Sequence, residues 1–170
     1  MKQLVLNISP APAPTFVNFV IGHNQELYAL LQAIANGENG ERFVYLWGAA
    51  GAGKSHLLGA VAAATAPRQV ISLDSAATVP EISLVRGDET VIVDDVHRLS
   101  SVGQPALFHA YNRIRSRSGR FIASGALPPG ELTLLPDLKS RLAWGLVLEV
   151  KPLSDEEKYQ ALSQHAAARG

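Results

Sequence analysis

Gly48, Gly53, Lys54 and Ser55 stand at the spacing Gly-x4-Gly-Lys-Ser, the P-loop pattern for binding phosphate. The chemistry it would support is specific. Glycines let backbone N–H groups turn inward around an anion, and a helix that begins at the lysine adds its partial positive charge. Lys54 would reach the outer phosphates, and the Ser55 hydroxyl would ligate Mg²⁺. The residues between them, Ala49, Ala50, Gly51 and Ala52, and His56 just beyond, belong to the same cradle. A second pair, Asp94-Asp95, ends the apolar run Thr90-Val91-Ile92-Val93. A buried strand that delivers carboxylates at its C-terminal end is where α/β sheets keep their chemistry. Asp94 would hold Mg²⁺, and Asp95 would orient or deprotonate an attacking water. The ligand expected is a nucleoside triphosphate or diphosphate.

These residues need elements to position them, and the flanks supply them. Phe43-Val44-Tyr45-Leu46-Trp47 is apolar, aromatic and β-branched, as a buried strand should be. Lys54 to about Thr65 is Leu- and Ala-rich at helical spacing. Before the loop, Asn24 is expected to cap a helix whose stripe is Leu27, Leu30, Leu31 and Ile34 and which Gly37 ends. After it come a strand over 69–73, a short helix near 81–85, the strand ending in Asp94-Asp95, and a helix over 104–118. Next in order are a strand over 121–124, a short helix over 137–142 and a strand over 146–150. A last helix opens at Ser154-Asp155-Glu156-Glu157 with an N-cap and an acidic first turn. Strands alternating with helices predict a parallel sheet covered on both faces.

Composition bounds the alternatives. At 170 residues the chain suits one domain, and 15 basic against 15 acidic side chains leave no global field for nucleic acid or membrane. Absence of cysteine excludes disulfides and thiolate metal sites, and the five histidines show no ligand-like spacing. No run resembles a signal peptide or could span a bilayer, so the expected location is cytoplasmic. Arg113, Arg115, Arg117 and Arg120 crowd one helix end. They read as a solvated, dipole-favoured terminus, with contact to nucleic acid as the alternative. Residues 2–8 alternate loosely ahead of Pro10, Pro12 and Pro14. They suit either a docked N-terminal strand or an extended peptide held on a stiff arm for a partner's groove.

Taken together, these stretches resemble the AAA+ ATPases of the DnaA family. Four segments carry the resemblance: Phe19-Val20-Ile21-Gly22-His23-Asn24; Gly48 through Leu58; Tyr111-Asn112-Arg113-Ile114; and Pro128-Pro129 through Gly145, which includes Pro136-Asp137-Leu138-Lys139-Ser140-Arg141-Leu142. It implies a P-loop NTPase fold of three α/β/α layers around a central five-stranded parallel sheet. It also implies ATP or ADP with Mg²⁺, and the backbone of Val20, Ile21 and Gly22 against the adenine. Arg141 matches the family's arginine finger, which reaches nucleotide held by a neighbouring subunit. Gln3-Leu4-Val5-Leu6 looks like the family's motif for the polymerase sliding clamp, with Gln3, Leu4 and Leu6 as contacts, which favours the partner-groove reading of the N-terminus.

The domain organisation implied is a clamp-binding peptide and arm over 1–14, an AAA+ module over 15–153, and the start of the helical lid over 154–170. The chain departs from the family pattern at Ala126, where an acidic or amide residue usually stands. It also stops within the lid, with no DNA-binding domain after it, which points to the family's short regulatory members. The function implied is a nucleotide-bound adaptor that docks on the clamp and acts in trans on DnaA, touching DNA only indirectly and at most a weak Mg²⁺-dependent ATPase itself. Homo-oligomers are compatible with this. The alternatives are an initiator- or clamp-loader-type ATPase working on its own ATP, and a small P-loop kinase.

Overall fold

The computed structural model of the chain describes residues 12–38, 40–65 and 70–167. Helix α1 (Gln25–Ala35) leads into β1 (Phe43–Trp47), and α2 (Lys54–Ala64) begins beyond the loop at its end. Then come β2 (Val70–Leu73), α3 (Val79–Ser83), β3 (Thr90–Val93), α4 (Gly103–Ser116), β4 (Arg120–Gly125), α5 (Pro136–Leu142), β5 (Leu146–Glu149) and α6 (Asp155–Ala167). A single 3-10 turn, Val96–Arg98, links β3 towards α4. The short helix expected at 81–85 begins earlier, because Thr78 and Glu81 close a capping box and Pro80 suits a first turn.

All five strands are parallel, in the order β2-β3-β4-β1-β5. Strand alternation sorts the core into two layers. Tyr45, Val91, Val93, Phe121 and Ala123 face α3, α4 and α5, while Val44, Leu46, Ile92 and Ile122 face α1 and α2. That two-sided burial is why the strand segments read as continuous apolar runs. Leu107, Tyr111 and Ile114 of α4 are fully buried, as their spacing predicts. Tyr111 lies between Phe43 and Phe121, with ring centroids 4.7 and 5.1 Å away. The sheet is therefore the centre of a three-layer α/β/α sandwich.

The order also locates the cleft. From β1 the chain moves outward to β2 and returns through β3 and β4, and then β5 joins the opposite side of β1. Strand β1 is thus the switch point, and the crevice beyond its C-terminal end is where such sheets bind ligands. The P-loop pattern begins at that end, at Gly48.

Two side-chain expectations are corrected in part. Asn24 stands at the N-cap position of α1 as expected, but its backbone is not extended (φ −104°, ψ 26°) and its side chain makes no capping bond. Its carboxamide instead accepts from the Lys151 N–H (2.8 Å) and donates to the Lys151 carbonyl (2.9 Å), tying the segment that precedes α6 to the start of α1. Of the arginines around the end of α4, Arg115 and Arg117 are exposed as expected, while Arg113 is engaged by backbone carbonyls. Arg113 donates to the carbonyls of Val85 and Ile82, and Arg117 pairs with Asp88 at 3.0 Å. Those partners lie in α3 and the segment between α3 and β3, so Arg113 ties α4 to that segment.

Candidate phosphate-binding site

Between β1 and α2 the loop takes conformations that only glycine holds without strain. Gly53 has φ 101°, and a Cβ there would lie 2.8 Å from the Phe19 ring. At Gly48 (φ 152°) a Cβ would meet the Val150 carbonyl at 2.5 Å. Position 53 therefore lets an aromatic ring close over the loop, and position 48 lets β1 run against the chain leaving β5. The Lys54 side chain, buried at the start of α2, curls back and donates to the carbonyls of Gly48 (2.8 Å) and Ala49 (2.9 Å). This frames the loop as a closed cradle with the helix N-terminus behind it.

The acid pair reaches the loop through β4, which lies between β3 and β1. Asp94 accepts a short hydrogen bond from the Ser124 hydroxyl, and that hydroxyl accepts from the Asp95 N–H at 3.0 Å. The Asp95 N–H also lies 3.0 Å from Asp94 Oδ1. Asp95 itself sits in the left-handed region (φ 50°, ψ 46°), the one described non-glycine residue with positive φ. This conformation reverses the chain abruptly and turns the Asp95 carboxylate towards the loop.

Three cavities surround the loop. One of about 400 Å³ is lined by Ala50, Gly51, Gly53, Lys54, Ser55 and His56 on one side and Asp95, His97, Arg98 and Ala126 on the other. A second, of about 250 Å³, brings Ser55 and Asp94 together beside Ser72 and Asp74. A third, of about 470 Å³, is more apolar: Phe19, Val20, Leu153 and Leu162 wall it against Gly51, Ala52 and Gly53. Among the described residues no group of three or more acidic or imidazole side chains could hold a metal alone. A serine hydroxyl and one carboxylate suit Mg²⁺, which keeps waters and takes phosphate oxygens for its remaining ligands.

Of the residues expected against a base, Val20 lines the apolar cavity. Gly22 lines a separate cleft at the start of α1 and packs towards Leu153 and Glu157 of the α6 region. Ile21 lines none of these cavities, and its carbonyl accepts from the Asn24 N–H. His56 is fixed by geometry: Nε2 lies 3.0 Å from the Thr15 carbonyl and 2.9 Å from Asn18 Oδ1, so it donates to both, and its ring packs on Phe19. Gln3, Leu4 and Leu6 lie outside the described residues.

Arg141 lines none of these cavities. Its Nε donates to Asn112 Oδ1 at 3.2 Å, rather than to Asp137 one turn before it. Its guanidinium lies 4.3 Å from the Trp144 ring centroid and 5.4 Å from that of Phe108. Arg115 covers the same indole at 4.0 Å. Sequence reasoning missed Ser124, Phe19, His97 and Arg98 as parts of the site. A polar residue in an otherwise apolar strand was the available signal for Ser124.

No family model matches the chain. Solved structures do resemble it. A DNA replication initiation factor aligns with TM-score 0.82 at 20% identity over 93% of this chain, and DnaA from Aquifex aeolicus bound to AMPPCP with TM-score 0.74 at 21% over 93%. The chain spans 55% and 56% of their lengths. Protein NMB1076 from Neisseria meningitidis aligns at 35% identity and TM-score 0.53, over 65% of this chain and 76% of that one. With its strand order, its loop between β1 and α2 and its acid pair after β3, the chain has the DnaA-like AAA+ P-loop NTPase fold.

Proposed function

We propose that the protein is an adenine-nucleotide-binding AAA+ adaptor. It docks on the DNA polymerase sliding clamp through Gln3, Leu4 and Leu6 and promotes ATP hydrolysis by the initiator DnaA, as the short DnaA relative called Hda does. The observation that carries this reading is the setting of Arg141. Its guanidinium lies outside the cavities around the chain's own loop, half-buried, braced by Asn112 and stacked on an exposed tryptophan. A guanidinium braced in this way is pre-organised for a phosphate on another molecule. Supplied in trans it would stabilise charge developing on the transferring phosphoryl group, an effect worth ~10³–10⁵ in rate.

The chain's own nucleotide would lie with its phosphates over Gly48 to His56. Its base would sit in the apolar cavity that Val20 lines, close to the backbone of Ile21 and Gly22. Mg²⁺ would be held by Ser55 and Asp94 and would neutralise charge between the phosphates. Asp95 would position a water. Bound there, the nucleotide would join the loop, the segment before α1 and the start of α6, and so orient the edge that carries Arg141.

The test is hydrolysis of ATP by DnaA in the presence of DNA-loaded clamp and this protein. Arg141→Ala should abolish the stimulation while leaving folding and nucleotide binding intact, and deletion of residues 1–9 should abolish it by removing the clamp contact. Undiminished hydrolysis with Arg141→Ala overturns the adaptor reading. A second reading, an ATPase working on its own ATP, is favoured by Lys54, Ser55 and Asp95 around one cavity. It predicts turnover without DnaA that Asp95→Asn removes.

A further inference from the structure

We propose that Arg98 is this chain's own contact for the terminal phosphate of a bound nucleoside triphosphate, and that without that phosphate it holds Asp95. The proposal rests on the nucleotide reading of the loop and concerns which nucleotide the site distinguishes. Across the cavity from the loop the wall carries a methyl group at Ala126, which offers an anion nothing. The nearest cation on that side is Arg98, on the 3-10 turn after β3.

Its stem has a fixed base. Val96 and Leu99, on either side, are buried in the core, and the Arg98 N–H donates to the Asp95 carbonyl at 2.8 Å. Asp95 is locked in turn by its left-handed backbone and by the bonds from its N–H to Asp94 and Ser124. The Arg98 side chain beyond this base is 66% exposed.

The guanidinium lies 3.8 Å from Asp95 Oδ2. At that length, between exposed groups, the pair is weak. A phosphate offers charge-assisted, bidentate geometry that suits the same planar fork much better. Arg98 would therefore turn from Asp95 to the outermost phosphoryl group, and the released carboxylate would be available to water. His97 stays beside it: its buried Nδ1 lies 4.0 Å from Asp95 Oδ1 and has no hydrogen-bond partner among the described residues. A diphosphate ends one group short of the position Arg98 serves, so the residue should discriminate triphosphate from diphosphate.

The test is calorimetric titration with ADP and, separately, with the non-hydrolysable AMPPCP, both with Mg²⁺. Arg98→Gln should weaken AMPPCP about tenfold or more, the usual scale for a lost charged hydrogen bond, and leave ADP within about twofold. Arg98→Lys should recover part of the loss. Equal losses for the two ligands, or no loss for either, overturn the proposal while the nucleotide site stands. If the unaltered protein binds neither ligand, the nucleotide reading fails and Arg98 falls with it. Lys54→Ala, by contrast, should weaken both ligands together.

Discussion

Ser124 is fully buried on the central strand pairing, and its hydroxyl serves two neighbours at the end of β3 at once. It donates to the Asp94 carboxylate and accepts from the Asp95 N–H, so one oxygen sets the angle of both acids. Removing it would take a donor from the Asp94 carboxylate and leave the Asp95 N–H with Asp94 Oδ1 alone, a loss of about 1–3 kcal/mol. Ser124→Ala is therefore expected to lower stability by that amount in urea denaturation, with the slope unchanged because the exposed surface is the same. A change under about 0.5 kcal/mol, the scatter of an ordinary surface substitution, would show that the hydroxyl does not organise the acids. Tyr45 supports the same region from β1. Its hydroxyl donates to the Leu127 carbonyl at 2.8 Å and leaves no room for a side chain at Gly125, which shapes the wall that carries Ala126. Burial, followed by the nearby Asp95 charge, raises the Tyr45 hydroxyl far above its ordinary range, so it stays a donor at any working pH.

At the level of elements, the start of α6 is the joint between the sheet and the C-terminal helix. Ser154 and Glu157 cap each other: the Glu157 N–H donates to Ser154 Oγ at 3.2 Å, and the Ser154 N–H donates to Glu157 Oε2 at 2.7 Å. The Ser154 backbone bond, ahead of the hydroxyl and His23, holds the Glu157 carboxyl below its ordinary 4.5. A depressed carboxylate stabilises the folded form at pH values above its unfolded pKa. That contribution is lost as pH falls through the folded value. The first turn of α6 should therefore loosen as pH drops below the ordinary glutamate range, seen as reduced hydrogen-exchange protection of its amides, while the sheet keeps its own. Glu157→Gln should flatten that dependence, and a dependence that survives the change would assign it to another acid. The elements themselves were readable because their signals are local: strand runs buried on both faces, a loop fixed by adjacent residues, a capping box within four positions. Asn24 misled because the bonds it makes join it to a residue 127 positions on, and local spacing carries no trace of that. Ser124 and Arg98 escaped for a similar reason. The partners of Ser124, and the loop that Arg98 faces across the cavity, are set by which strands lie side by side, and β3, β4 and β1 are neighbours in space in an order the chain does not follow.

For the molecule as a whole, the cradle gathers segments that lie far apart along the chain. Phe19 and Val20 come from the stretch before α1, Gly51 to Gly53 from the loop, and Leu153 and Leu162 from the approach to α6 and α6 itself, all around one apolar cavity. A nucleotide whose base fills that cavity and whose phosphates lie over the loop would bridge all three. A ligand bound only by the folded form stabilises it by mass action, about 2.7 kcal/mol at a hundredfold excess over Kd. For a domain of this size each kcal/mol moves the melting temperature by roughly 2–4 °C. Saturating ADP with Mg²⁺ should therefore raise the midpoint by about 5–10 °C in a thermal melt. Lys54→Ala should lose most of that shift at the same ADP concentration, because the ammonium that faces the phosphates is gone. Leu162→Ala should reduce it less, since its exposed side chain adds apolar contact only. If Lys54→Ala kept the full shift, ADP would be binding away from the loop, and both the orientation of Arg141 and the selectivity assigned to Arg98 would lose their basis.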